Sequence, residues 1–145
     1  MSGVLALIPA LVLVPVGLLH LLWATGVTWP CNSDMHLVRC VIGAPFDMRH
    51  PRNAALTVAV AAAITFAGLL PLAVVGLLGT GLPESLLRGL LMVEAGVFLL
   101  RGSYGYLPAM AKAAPLEPFR TLNRRYYNPL ILLLGGICVA LLALS

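Results

Sequence analysis

Apolar residues gather in four long runs, and polar residues in the stretches between them. The runs predict helices at about 4–23, 54–78, 82–102 and 125–144. Each is close to the roughly 20 apolar residues that a 30 Å hydrocarbon layer requires of a helix. The last run is short from Leu130 onward and reaches that length only if its helix starts among residues 121–127 or the bilayer thins around it. Pro9 and Pro15 should bend the first helix and Pro71 the second, as neighbouring helices in a membrane allow. Thr57, Thr65 and Gly68 are small and let a second helix approach closely. The pattern predicts an all-α fold: an integral membrane four-helix bundle forming one transmembrane domain over residues 1–145.

The connections set the expected orientation. Residues 24–53 form a polar, proline-punctuated stretch, within which MHLVRCVIGAPF is apolar enough for a short interfacial helix or re-entrant turn. Residues 79–85 are a tight turn, so the second and third helices should be antiparallel neighbours. Residues 103–129 form the third connection. Four spans put the first and third connections on one side, with Arg39, Arg49, Arg52, Lys112, Arg120, Arg124 and Arg125 between them. The opposite turn and both termini hold no Lys or Arg. The positive-inside rule then predicts N-out and C-out termini, two basic cytoplasmic loops, and a multi-pass protein of the inner membrane.

Composition agrees with a protein dissolved in lipid. Of 145 residues, 61% are hydrophobic and 10% charged, where soluble domains average about 25% charged. Mean hydropathy is +1.01. The net charge of +4 lies in membrane-flanking loops, without aromatic interleaving or a phosphate-cradling glycine loop, so no nucleic acid partner is expected. The chain opens on Met-Ser-Gly without a basic segment, so the first run reads as a spanning helix rather than a signal peptide. The three cysteines, Cys31, Cys40 and Cys138, include no C-x-x-C pair. A cytoplasmic first loop would leave Cys31 and Cys40 as free thiols. His36 and His50, fourteen residues apart beside those cysteines, fit no standard zinc spacing. Neither a metal nor a cofactor is expected.

The third run carries the candidate chemistry. It holds Arg88, Glu94 and Arg101, and a charge at mid-membrane costs about 3 kcal/mol on insertion scales, so these groups should face protein or water. Arg88 lies near the outer interface, where its side chain can snorkel. Glu94 and Arg101 are two turns apart on one face, about 10 Å along the axis. His20 and Trp23 close the first helix, Tyr104 and Tyr106 follow the third, and Tyr126, Tyr127 and Asn128 open the fourth. All fall in the inner half of the predicted bundle. The expected site is a polar pocket facing the cytoplasm, with Glu94 as its floor and His20, Arg101 and the tyrosines as its rim. A plainer reading makes Glu94 and Arg101 packing struts, and Trp23, Tyr126 and Tyr127 belt aromatics.

Two motifs point to a family. LHLLWATG, ending at Gly26 and followed by Val-Thr-Trp-Pro, resembles the first-helix signature of the bacterial DUF3995 family. FLLRGSYGYL and PFRTLNRRYYNPLILLLGG resemble its third-helix end and fourth-helix start. The matched positions are His20, Trp23, Gly26, Arg101, Tyr127, Pro129 and Leu130. Asn123 stands where that pattern has Asp, and Asn128 where it has Ser. The resemblance implies a small four-helix bacterial membrane protein and brings no established chemistry.

The leading functional expectation is binding of a lipid or small amphipathic ligand by His20, Trp23, Glu94, Arg101, Tyr104, Tyr126, Tyr127 and Asn128. Two alternatives stand beside it. One is a membrane-embedded enzyme on a lipophilic substrate, with Glu94 and His20 as acid and base. The other is an accessory subunit of a membrane protein partner, or a transporter built as a homo-oligomer.

Overall fold

The computed structural model describes residues 1–144, and among them every regular element is helical. Four long helices carry the structure: α1 (Ser2–Ala24), α3 (Pro51–Val74), α4 (Glu84–Tyr104) and α7 (Asn128–Leu144). Short helices α2 (Asp34–Val41), α5 (Pro108–Ala113) and α6 (Phe119–Leu122) fill the connections, and a π-helical turn, Asn123–Tyr127, joins α6 to α7. Three helical stretches are long and apolar enough to cross a membrane: Ser2–Ala24, Pro51–Val74 and Phe119–Leu144. α4 has 21 residues, about 31 Å at 1.5 Å per residue, but carries Glu84, Arg88, Glu94 and Arg101. The outer surface is apolar: Leu11 and Leu100 are 73% and 74% exposed, as suits side chains that meet lipid rather than water.

The long helices pack as two main pairs, α1 with α3 and α4 with α7. Close approach in the first pair depends on Gly17, where an added Cβ would land on the Thr65 side chain and 3.0 Å from the Ala61 carbonyl oxygen. Thr65 turns its hydroxyl back to that same carbonyl at 2.9 Å, so the hydroxyl is satisfied within its own helix. The core, including Ala6, Leu70, Leu87, Leu91, Cys138 and Leu141, joins both pairs. These residues come from the start of α1 and α4 and the end of α3 and α7. The tight packing therefore occupies one half of the bundle, and the opposite half receives the long connections.

Those connections fold onto each other. Ser33 caps α2 by accepting the His36 amide at 3.2 Å, and Leu37 and Val38 bury the inner face of α2. The Leu116 amide donates to the Gly43 carbonyl at 2.8 Å, and the Tyr127 hydroxyl to the Cys40 carbonyl at 3.1 Å. Residues 24–53 are thus an ordered cap containing one short helix, and they share one end of the bundle with residues 105–118.

Helix boundaries differ from the sequence reading in three informative places. α3 begins at Pro51 rather than 54, because Pro51 enters at the first turn and His50 Nδ1 accepts the Arg52 amide at 3.3 Å. It stops at Val74 rather than 78: Gly76 takes φ +76°, and the amides of Leu77 and Leu78 fold back to the Leu72 carbonyl. The last helix starts at Phe119 rather than 125 and reaches Leu144 through the π-turn. Pro129 explains the turn. A proline inside a helix has no amide hydrogen and crowds the carbonyl four residues earlier, so the preceding turn widens.

Gly17→Val should force α1 from α3 and cost about 1–3 kcal/mol, the usual range for overpacking. A lower Tm in mild detergent, with Gly79→Val in the open turn left near wild type, checks this.

Candidate functional site

Arg101 ends the last full turn of α4 facing the start of α7. Its Nη1 donates to Asn128 Oδ1 at 3.2 Å and its Nη2 to Asn123 Oδ1 at 3.1 Å. The π-turn makes this pair available. Asn123 and Asn128 are five apart, a separation that would point them about 140° apart on a regular α-helix. With the Asn128 amide bonded to the Asn123 carbonyl across the wide turn, both side chains reach one guanidinium. Asn128 is fully buried and Asn123 is 3% exposed. Both partners are neutral amides, and among the described residues no carboxylate is in ion-pair range of Arg101. The guanidinium is oriented but its charge is not cancelled.

Arg101 lines a cavity of about 480 Å³ in the half of the bundle that receives the connections. His20 and Trp23 of α1 line it too, with Leu37 and Val41 of α2, Leu56 and Val60 of α3, and Phe46, Met48, Met110 and Phe119. The size is in the range of small-molecule sites, and so is the composition, apolar walls with few polar groups. His20 is pinned by Nδ1, which donates to the Val16 carbonyl at 2.8 Å, and its ring packs at a tilt against Trp23, centres 4.6 Å apart. Its Nε2 is the ring's remaining polar atom. Trp23 is more than a belt aromatic. It is 6% exposed, and its indole N–H holds the Trp29 carbonyl at 2.7 Å, tying the first connection to the cavity mouth. A second hollow of about 340 Å³ lies beyond Met110 and Phe119, bordered by Glu117, Arg120 and Arg124. It is a polar surface cleft and does not contain Arg101.

The structure therefore brings His20, Trp23 and Arg101 together and puts Asn128 behind Arg101. Glu94 does not form the floor of this cavity. It lies deeper, 8% exposed, where Cys138 Sγ faces its Oε1 at 3.6 Å and its Oε2 has no hydrogen-bond partner. Glu94 and Arg101 both face the last helix, as their spacing suggests, but they contact different turns of it. Tyr127 leaves the rim to hold α2 through Cys40 and to pack on Phe119, ring centres 6.1 Å apart. Tyr104 and Tyr126 are on the outside, 43% and 55% exposed, with Arg125 over the Tyr126 ring at 5.6 Å. Arg88 reaches the end of α7 and donates to the Leu142 carbonyl at 3.0 Å.

The chain belongs to the DUF3995 family. The pattern of that family, described as a protein of unknown function, matches residues 13–138. No curated protein and no solved structure matches the chain. The match takes in every residue of the Arg101–Asn123–Asn128 arrangement and the whole cavity lining.

Two groupings escaped the sequence reading. Asn123 appeared only as a departure from an acidic pattern, and nothing in the residue order announces a π-turn except Pro129 at its exit. The second grouping is Cys31, His36 and Cys40, whose ligand atoms lie within 4.8 Å of one another. His50 is elsewhere, as the cap of α3. Burial, and then the neighbouring Cys40, hold the Cys31 thiol above its usual range. The sequence signal was a Ser33 cap followed by His36 and Cys40 at helical i, i+4 spacing.

Asn128→Ala removes one of two acceptors from a half-buried guanidinium. Hydrogen bonds to charged groups contribute about 1.5–3 kcal/mol, so the variant should melt lower than wild type by a corresponding amount, and Tyr126→Ala on the exposed face should not. Thermal unfolding in detergent measures both.

Proposed function

We propose that this is a four-span inner-membrane protein that binds an anionic amphiphile, carboxylate or phosphate at Arg101 and apolar tail along the cavity walls. The observation that carries this reading is the uncancelled charge of Arg101 in an apolar cavity. A cation in such surroundings gains most from an anion that replaces the water it has lost. His20 Nε2, the acceptor left on a neutral ring whose Nδ1 donates to Val16, can take a hydrogen bond from a headgroup hydroxyl or protonated phosphate, and the aliphatic side chains of α2 and α3 supply the wall for a hydrocarbon tail. A lipid headgroup or a free fatty acid would present the same chemistry.

The reading takes α4 as the fourth span. Its 21 residues match the hydrocarbon thickness, Arg88 and Arg101 are near its two ends, and Glu94 faces protein. Both basic connections are at the cavity end of the bundle, which supports termini outside and a cavity that faces the cytoplasm. With Cys31, Cys40 and Cys138 replaced by Ser, a single cysteine at Thr80 should react with an impermeant maleimide on intact cells. A single cysteine at Lys112 should react only after permeabilisation. The reverse pattern would overturn the orientation.

The ligand test uses the chain purified from its membrane in mild detergent and weighed intact by native mass spectrometry. Wild type should carry one anionic amphiphile. Arg101→Gln should lose it by at least about tenfold, the scale of one charge-assisted contact of about 1.4 kcal/mol or more. Asn123→Asp, which offers Arg101 an internal carboxylate, should weaken binding while the protein stays folded. Equal occupancy in all three would remove the proposal.

A further inference from the structure

We infer that Cys31, His36 and Cys40 form a binding site for one thiophilic d10 cation, Zn²⁺ or Cu⁺, in the cap that follows α1. The three donors are side by side: Sγ of Cys31, an imidazole nitrogen of His36 and Sγ of Cys40 all lie within 4.8 Å of one another. Two thiolates bonded to one ion at about 2.3 Å sit roughly 3.8 Å apart, so small side-chain rotations of the part-buried cysteines and the exposed His36 close the remaining distance. The donor set selects the ion. Thiolate and imidazole together favour zinc or monovalent copper over the hard cations that seek oxygen. Three protein ligands with His36 exposed leave one open position for water on zinc and complete a trigonal set on copper.

The scaffold behind the donors is built, not incidental. His36 and Cys40 are one helical turn apart on α2, and α2 is capped by Ser33 and anchored by buried Leu37 and Val38. Arg49 pairs with Asp34 at 2.7 Å and holds the first turn of α2. Cys31 is brought back by a turn in which its amide donates to the Thr28 carbonyl at 2.8 Å and the Thr28 hydroxyl to the Cys31 carbonyl at 3.1 Å. On the far side, the Cys40 carbonyl is held by Tyr127. A backbone so supported holds the three donors close together before any ion binds. The cluster is separate from the Arg101 cavity, although α2 contributes a wall to that cavity.

The test uses the full chain in mild detergent, reduced with a thiol-free reductant and desalted after exposure to Zn²⁺ alone or to Cu⁺ alone. One arm should retain about one metal per chain, with Cys31 and Cys40 shielded from alkylation while it is bound. Cys31→Ser, Cys40→Ser and His36→Ala should each cut retention at least tenfold, and Cys138→Ser should leave it unchanged. The shielding of the wild-type thiols decides the matter even if a variant fails to fold. Retention below a tenth of an equivalent in both arms, retention unaffected in a Cys31→Ser/Cys40→Ser chain, or a Cys31–Cys40 disulfide in protein taken from cells without reductant would each overturn the site.

Discussion

A guanidinium on a helix in apolar surroundings must be given polar partners by the protein itself, and most of the arrangement at one end of this molecule follows from that. Arg101 cannot leave its desolvated donors unmet without a cost of kcal/mol size. The last helix answers with two amides from one widened turn. Pro129 makes the turn, the turn aligns Asn123 with Asn128, and the two acceptors fix the guanidinium at the cavity wall. Because the acceptors are amides, orientation is achieved without neutralisation. A carboxylate in the same place would hold the side chain equally well and leave the cavity without an unmet charge.

The same economy divides the bundle in two. Where small and aliphatic residues dominate, the helices close on Ala6, Leu70, Leu91 and Leu141 with little space between. Where Arg101 and His20 enter, the packing opens and the connections become the walls. Residues 24–53 are therefore part of the site rather than a link between spans. Their short helix contributes Leu37 and Val41 to the cavity, Trp23 fastens their first turn, and Tyr127 fastens their far side. Glu94 belongs to the packed half. Its neighbour Cys138 comes from the facing helix, and the cavity does not reach it.

The residue order made the long helices legible, because hydrocarbon thickness and apolar runs are both local properties. Their ends were less so. The start of α3 turned on Pro51 at the first turn and on His50 accepting the Arg52 amide, and the end on backbone bonds around Gly76, signals one or two residues long. The convergence of His20, Trp23 and Arg101 followed from topology alone, since alternating long helices run the first and third in the same direction and bring their C-terminal ends to one side. Glu94 misled because sharing a face with Arg101 does not reveal how far down that face the cavity extends, and two turns deeper the helices are packed against Cys138. Asn123 and Phe119 could not be placed without the π-turn, which displaces every residue before it around the helix. The cysteine–histidine grouping was hidden in turn: Cys31 precedes α2, and only the fold-back at Thr28 brings it beside the other two.

The central claim is that the charge of Arg101 is reserved for an anion brought by a lipophilic molecule. An experimental structure of the chain in a bilayer disc of its native lipids tests it most directly. The account predicts elongated density in the cavity, its compact end against Arg101 and His20 and its tail between α2 and α3. A cavity closed by side-chain repacking, or an Arg101 paired with a carboxylate of the protein itself, would contradict it.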